Sequence, residues 1–451
     1  MAVALIILAA GKGTRMNSEL PKVLHRLAGV SLLAHAVGLG RAVEADKIVV
    51  VAGYGADFVR EEVEKLGSDV EIVLQDQQLG TGHAAGCAAQ VLAGFDGDAI
   101  VLLGDNPFIR PETITEVLAA RASGNDVVAV GFEANNPAKY GRLILQDGGA
   151  LAAIVEAKDA DEAERAVSLC NSGIICAKSS VLFDLIGQIG DDNASGEYYL
   201  TDVVALANAR GLKSGVVICD ESETIGVDSR EGLARAEGLF QDRARARALE
   251  NGVTLSAPDT VFFALDTVIG RDVIIGANVV FGPGVTIENG AEIRAFCHLE
   301  GCHISQGALI GPFARLRPGA EISADAHIGN FVEIKNSVVQ NGAKINHLSY
   351  VGDADIGARA NIGAGTITCN YDGVMKHRTE IGAGAFIGSN TALVAPVSVG
   401  AGAMTGSGSV ITQDVPGDAL ALSRSKQVNR PGFAAKFMAR LRAVKDLKDK
   451  G

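Results

Sequence analysis

Between Ile269 and Ile411 an apolar residue returns every six positions, and few folds accept that period. The series runs Ile269, Ile275, Phe281, Ile287, Ile293, Leu299, slips by one, and continues Ile304, Ile310, Leu316, Ile322, Ile328, Ile334. After further slips it passes Val339, Ile345, Val351, Ile356 and Ile362, and it resumes at Ile381, Ile387, Leu393, Val399, Thr405 and Ile411. Thr405 alone among these twenty-three positions is not hydrophobic. A period of six fits neither a helix nor an alternating strand; it is the repeat of a parallel β-helix. Three hexads make one triangular coil, so the guide residues stack as a core. Glycine (Gly270, Gly276, Gly311, Gly329, Gly363, Gly382, Gly388) and small residues (Ala308, Ala314, Ala320, Ala326) serve the corners and the tight positions. Such a solenoid needs many coils to bury a core.

A chain of 451 residues holds about three domains or fewer. Its net charge of −13 argues against general nucleic-acid binding, which wants a basic face, so an anionic substrate must be held by local cations. Seven scattered cysteines without a Cys-x-x-Cys pair read as reduced thiols and a cytoplasmic setting. Residues 2–10 are apolar but lack a basic leader and run into Gly11-Lys12-Gly13, which predicts a buried strand instead of a signal peptide. No stretch approaches the ~20 apolar residues of a membrane span.

Ahead of the repeat, apolar runs Val3–Leu8, Ile48–Val51, Ile72–Leu74, Ile100–Leu103 and Val127–Val130 alternate with helical patterns such as Glu112–Arg121. This predicts an α/β domain with a Rossmann-like, mostly parallel sheet, whose ligands gather beyond the carboxyl ends of the strands. The first run ends in Leu8-Ala9-Ala10-Gly11-Lys12-Gly13-Thr14-Arg15-Met16, followed by Pro21-Lys22. Glycines there let backbone N–H groups close on phosphate oxygens, and Arg15 and Lys22 add charge. Met16 breaks a dinucleotide-binding fingerprint and no Gly-Lys-Ser/Thr closes a P-loop. Asp105 follows an apolar run, where a carboxylate can bind a metal shared with phosphates or simply begin a turn. His25, His35 and His83 have no metal-ligand spacing and read as structural.

The strings Leu8–Met16, Leu20-Pro-Lys-Val-Leu24, Leu79-Gly-Thr-Gly-His83, Gly104-Asp105, Tyr140-Gly-Arg142 and Gly196-Glu-Tyr-Tyr199 resemble sugar-1-phosphate nucleotidyltransferases. Joined to a hexapeptide-repeat segment carrying Gly363-Ala-Gly-Thr-Ile-Thr-Cys-Asn-Tyr-Asp-Gly373, the chain resembles the bacterial bifunctional enzymes that acetylate glucosamine-1-phosphate and then uridylylate the product. The resemblance runs from about residue 3 to about residue 430. It implies a nucleotidyltransferase domain over 1–227, a helical linker over 228–252, a left-handed β-helix acetyltransferase domain over 253–423 and a basic tail over 424–451.

The first reaction so implied is attack of a sugar-1-phosphate oxygen on the α-phosphorus of UTP, with Mg²⁺ as cofactor and small molecules as the partners. The resemblance implies that Leu8, Ala9, Ala10, Gly11 and Lys22 bind the nucleotide, with Lys22 and Arg15 as catalytic cations at its phosphates. It assigns the uracil to Gln75, Gly80 and Thr81, the strand end to Leu103, Gly104 and Asp105, and the amino sugar to Gly141, Glu156 and Asn171. Metal binding falls to Asp105 and Asp228. The family usually has Asn where Gly226-Val227-Asp228 offers Asp, itself a competent hard-oxygen ligand. Leu103 replaces a frequent Tyr, and Asn106 stands between Asp105 and Pro107.

Asp228 also opens a long charged helical pattern, with Asp228 or Ser229 as N-cap and Asn251-Gly252 as its end. In the repeat, Arg317 and Lys335 both follow a guide residue and stand 18 apart, one full coil. Coils lie ~4.8 Å apart, so like charges would stack there unless an anion sits between them or both splay into water. The resemblance assigns Arg317 and Lys335 to the sugar phosphate, His347 to general-base work, and Tyr350 and Asn361 to the same substrate. A loop is predicted at Asn370-Tyr-Asp-Gly373, where the hexads lapse. By resemblance an acetyl-CoA site uses Ala364, Asn370, Tyr371, Ser389, Ser407 and Arg424 between the subunits of a homotrimer. Ser407 stands where Ala is frequent, and Val374-Met375 replaces a commoner Ala-Asn. Cys369 reads as structural, because direct transfer from a thioester to an amine needs no nucleophile.

The tail over 424–451 has nine basic and two acidic residues, with Phe433, Phe437, Leu441 and Val444 at helical spacing. It reads as a helix docked on the acidic remainder of the chain, with a membrane surface as the other option. A rival to the bifunctional reading keeps uridyl transfer alone and makes the β-helix an oligomerisation scaffold. A scaffold has no use for two stacked cations.

Overall fold

The computed structural model describes residues 2–137 and 139–449 and divides into two compact units, Met1–Ala244 and Arg245–Gly451. In the first, a mixed sheet has the strand order Ser214–Ile218, Val127–Glu133, Leu169–Lys178, Asp98–Leu103, Val3–Ala9, Lys47–Ala52, Val70–Leu74. All neighbours pair in parallel except Leu169–Lys178, which runs antiparallel to both of its own. The near-continuous Val/Ile/Leu runs follow from burial on both faces: Val3–Ala9 is buried throughout, with Leu5, Ile6 and Ile7 fully so. Every strand parallel to Val3–Ala9 delivers its carboxyl end to the same edge, which places Ala9, Leu74 and Leu103 there together.

A helix, Arg230–Glu250, crosses the boundary between the units. Its N-terminus is capped by Ser229, whose Oγ accepts from Gly232 N at 3.1 Å, and it ends at Gly252 in a left-handed conformation (φ 85°).

The second unit is a parallel β-helix of three sheets, with ten, eight and eight strands. Each predicted coil appears as register: Ile293 pairs with Ile310, Ile310 with Ile328, and Ile328 with Ile345. Guide residues from Ile275 onward are buried, including Thr405, whose Oγ accepts from Gly388 N at 3.0 Å and lies 3.3 Å from Thr391 Oγ. The hydroxyl is thus tolerated because its hydrogen bonds are made inside the coil.

Corners fall on left-handed residues, mostly Gly, Asn or Asp. One corner departs from this by using Phe296, Phe313 and Phe331 (φ 62°, 57° and 56°), followed by Leu348 (φ 51°). The phenyl rings stack at 4.9 and 5.1 Å, so aromatic contact between coils offsets part of the backbone strain. The loop predicted after Ile362 is present: Asp372 Oδ1 accepts from Val374 N and Met375 N at 2.8 and 2.7 Å. The tail forms the helix Phe433–Lys448 with no buried residue, so the expected docking on the rest of the chain is not seen. All seven cysteines are free, and Cys369 takes no part in either site described below.

Candidate active sites

The carboxyl edge of the first sheet opens into a cavity of about 600 Å³. Its floor is the loop after the first strand, Leu8, Ala9, Ala10 and Gly11, with Arg15 and Lys22 projecting into it. Gly13 is left-handed (φ 61°), and a Cβ there would lie 2.6 Å from Lys22 Cβ, so this glycine lets the loop close on the lysine stem. Gln75, Gly80 and Thr81 line one wall, Gly141, Glu156 and Asn171 another, with Leu103, Asp105 and Asp228 between them. Gly104 lies just beneath the surface, its N–H donating to Leu8 O at 2.9 Å.

Two sequence strings far apart in the chain meet on the Gln75 wall. Gly82 N donates to Tyr198 O and Tyr198 N to Leu79 O, both at 2.8 Å. Only glycine fits at position 80, where a Cβ would come within 2.6 Å of Tyr198 O. Gln75 is buried and donates from Nε2 to Gly80 O (3.1 Å) and His83 Nδ1 (2.9 Å), which fixes its amide face and gives His83 the structural role expected of it. His35 likewise bonds Leu27 O at 3.0 Å.

At the centre, Lys22 Nζ bonds Asp105 Oδ2 and, at 2.9 Å, Asp228 Oδ1. Arg15 Nη2 reaches Asp228 Oδ2 at 3.1 Å. The two carboxylates come from separate segments, tied by Val227 N donating to Asp105 O at 3.0 Å. Burial alone would lower the Lys22 pKa, but Asp105 and then Asp228 outweigh it and the net shift is upward. Burial likewise pushes the Asp228 carboxyl up, and Lys22 and Arg15 bring it below its ordinary value. The carboxylate oxygens of Asp105 and Asp228 therefore converge on one cation position, and that oxygen set suits a hard divalent ion. Glu156 shifts upward, chiefly from burial, with Thr201 Oγ1 donating to it at 3.4 Å and Asp159 and Asp202 nearby. Lys139 and Thr201 also line the cavity and were not singled out in the sequence; Asn106 and Gly226, noted there only as neighbours of the two aspartates, line it too. Asn106 Nδ2 donates to Ser172 O at 3.3 Å, a link that no local pattern announces.

On the β-helix the pairing of Leu316 with Ile334 puts Arg317 and Lys335 on the same rung, as their spacing predicts. Two neighbours missed in the sequence change their electrostatics. Arg317 Nη1 bonds Glu333 Oε1 at 2.9 Å, which neutralises one of the stacked cations. Lys335 faces Lys376 from the projecting loop, and this second ammonium, with Arg317 behind it, lowers the Lys335 pKa. Tyr350 pairs with Glu333 on the adjoining strand, and its Oη accepts from Asn370 Nδ2 at 3.5 Å. Asn361 pairs with Lys344 one coil beyond.

His347 ends the strand Lys344–His347 and pairs in register with Asn330. Its Nδ1–H donates to Asn330 Oδ1 at 2.7 Å, so the second ring nitrogen, Nε2, carries the free lone pair. The register that pairs Ile345 with Ile362 and Ile362 with Ile387 carries the same corner on through Ala364 and Ser389. Pairing of Phe386 with Met404 extends it to Ser407, whose carbonyl accepts from Arg424 Nη1 at 2.8 Å. One edge of the solenoid thus runs from Asn330 through His347, Ala364 and Ser389 to Ser407. Tyr371 stands exposed on the projecting loop, its Oη donating to Gly373 O at 2.6 Å.

Fold and sites together define a two-centre transferase, a nucleotidyltransferase cleft joined to a hexapeptide β-helix. Residues 5–169 match the MobA-like NTP transferase domain, and residues 266–301 match the bacterial transferase hexapeptide repeat, which makes the solenoid left-handed. The bifunctional protein GlmU of Cereibacter sphaeroides (strain ATCC 17025 / ATH 2.4.3) is 62% identical over 449 residues, covering 100% of this chain and 98% of its own. The same-named proteins of Dinoroseobacter shibae and Paracoccus denitrificans are each 62% identical, over 99% of both chains and 98% of both chains respectively. This chain belongs to the bifunctional GlmU family. It is a transferase with two activities, N-acetylglucosamine-1-phosphate uridyltransferase and glucosamine-1-phosphate N-acetyltransferase.

Proposed function

We propose that the cleft of residues 1–227 performs the uridyl transfer and the Asn330–Ser407 edge of residues 253–423 performs the acetyl transfer, with 228–252 as linker and 424–451 as tail. The product of the pair is UDP-N-acetylglucosamine. The observation that carries this reading is the line Asn330–His347–Ala364–Ser389–Ser407 on one corner, with Arg317 and Lys335 stacked at the far end of the strands that follow it. A β-helix serving only as an oligomerisation scaffold has no need of an oriented histidine and clustered cations on one run of strands.

In the acetyl transfer, Arg317 and Lys335 hold the phosphate of glucosamine-1-phosphate, with Tyr350 and Asn361 against the sugar. His347 Nε2 takes a proton from the attacking amine as its nitrogen bonds to the thioester carbonyl carbon. The C–S bond then breaks, the proton held on Nε2 passes to the sulfur, and CoA leaves as the thiol. Asn330 keeps the proton on Nδ1, so that Nε2 is the basic atom throughout. Ala364, Asn370, Tyr371, Ser389, Ser407 and Arg424 bind acetyl-CoA along the edge and the loop, completed by a neighbouring copy in a homotrimer.

In the uridyl transfer, Gln75, Gly80 and Thr81 hold the uracil by its polar edge, and Gly141, Glu156 and Asn171 hold the amino sugar. Backbone N–H groups from Leu8 to Gly11, with Arg15 and Lys22, bind the triphosphate. A phosphate oxygen of the sugar phosphate bonds to the α-phosphorus as the bond to the β-phosphate breaks and pyrophosphate leaves. Proteins of this family use a divalent metal. Here Asp105 and Asp228 would hold Mg²⁺, which supplies charge neutralisation to the phosphates. Among the described residues no helix is long and apolar enough to cross a membrane, and the proposed location is the cytoplasm.

The test is an omission assay with glucosamine-1-phosphate, acetyl-CoA, UTP and Mg²⁺, reading free CoA and pyrophosphate separately. Pyrophosphate release that ignores the omission of acetyl-CoA would overturn the coupled reading.

A further inference from the structure

The cleft holds as many cations as carboxylates at its centre. Lys22 bonds both Asp105 and Asp228, and Arg15 bonds Asp228, so the two negative charges are matched before any ligand is bound. Lys22 and Asp105 are mostly buried, with 19% and 10% of their side chains exposed, so solvent screens their pairing weakly. Asp228 is what makes the balance: an amide at this position would leave Lys22 with one anionic partner and Arg15 with none.

We propose that Lys22 is a tethered counter-ion, holding the Asp105–Asp228 pair together in the metal-free enzyme and passing to the substrate phosphates when the metal takes its place. This rests on the assignment of Asp105 and Asp228 as metal ligands. Three features support it. Two carboxylates gathered from separate segments repel without a cation between them. Lys22 Nζ stands at the position on which their oxygens converge, so ammonium and metal exclude one another there. The lysine also belongs to the phosphate side of the same cavity, seated against Gly13 of the loop, so only its flexible stem has to move. The metal alone would leave the site with two uncompensated positive charges. A bound triphosphate removes that excess, because its phosphates accept Lys22 and Arg15. Metal affinity in the absence of nucleotide is therefore held down by Lys22.

The test is a titration of the full-length protein with Mn²⁺ alone, reading free Mn²⁺ by electron paramagnetic resonance. Lys22→Met is expected to bind Mn²⁺ at least about tenfold more tightly than the wild type, a difference of about 1.4 kcal/mol. Lys22→Arg, which keeps the cation, should stay within about threefold of wild type, and Lys22→Met/Asp105→Asn should lose the gain. The metal-free Lys22→Met protein should melt below wild type and recover with Mn²⁺. Lys22→Gln, with an expected gain of about threefold, serves if the methionine variant does not fold. Equal affinity in wild type and Lys22→Met would overturn the counter-ion role while leaving the metal assignment intact. If Asp105→Asn leaves the Mn²⁺ affinity of Lys22→Met unchanged, the metal assignment itself fails, and the proposal with it.

Discussion

His347 Nδ1 lies 2.7 Å from Asn330 Oδ1, its partner one coil earlier, and that single bond selects which ring nitrogen is basic. A positioned base contributes ~10²–10⁴-fold to a proton-transfer step. His347→Ala should lower the acetyltransferase kcat by about that factor and leave uridyl transfer unchanged.

Asn330 acts through the histidine, so its loss has a different signature. Asn330→Ala should reduce acetyl-transfer kcat by about tenfold, with little change in KM and an altered pH profile. Asn330→Asp keeps an acceptor for Nδ1 and should move the base's pKa upward, shifting the acid limb of the pH–rate profile to higher pH. Identical profiles in all three proteins would show that Asn330 is only a corner residue.

The Arg317–Lys335 rung is not two bare cations in stacked register. Arg317 has Glu333 as a partner, whereas Lys335 faces Lys376. Each substitution to alanine should weaken glucosamine-1-phosphate binding by ~1.5–3 kcal/mol, the value of a charge-assisted contact. Substrate-free stability separates them. Lys335→Ala should hold or raise Tm by relieving repulsion, and Arg317→Ala should lower it slightly, since an exposed pair is worth ~0–1 kcal/mol. Normal sugar-phosphate binding in either variant would remove the clamp from the mechanism.

Burial raises the Glu156 pKa above its unfolded value, so the folded protein binds more protons than the unfolded one between those two values. Stability attributable to this group therefore falls as pH rises through that window from the ordinary glutamate range. Glu156→Gln removes the buried charge. At neutral pH it should raise Tm by ~1–3 °C while weakening N-acetylglucosamine-1-phosphate binding, and it should flatten the pH dependence of Tm in the mildly acidic range. A Tm that falls on substitution would mean that the carboxylate is better satisfied than its surroundings indicate.

The β-helix was legible because its period survives every slip, so Arg317 and Lys335 could be placed on one rung by counting alone. Asn330 stands 17 before His347, but it was not singled out in the sequence, because a lone Asn at a corner reads as turn chemistry. Glu333 and Lys376 were not legible: one contact lies across strands, and the other comes from a loop whose path no hexad fixes. In the first unit the parallel strands followed from their apolar runs. The antiparallel direction of Leu169–Lys178 did not, since a strand buried on both faces carries no mark of its direction. Lys22 was expected to face phosphate; its bonds to Asp105 and Asp228 join positions 83 and 206 residues away, beyond any local pattern.

Two independent centres in one chain must fail independently, and a crossed pair of variants measures this most directly. Asp105→Ala and His347→Ala are assayed together for CoA release from glucosamine-1-phosphate and for pyrophosphate release from N-acetylglucosamine-1-phosphate. Asp105→Ala should lose pyrophosphate release and keep CoA release near wild type, and His347→Ala should do the reverse. Loss of both activities in both properly folded variants, or of the same activity in each, would contradict the assignment of one reaction to each centre.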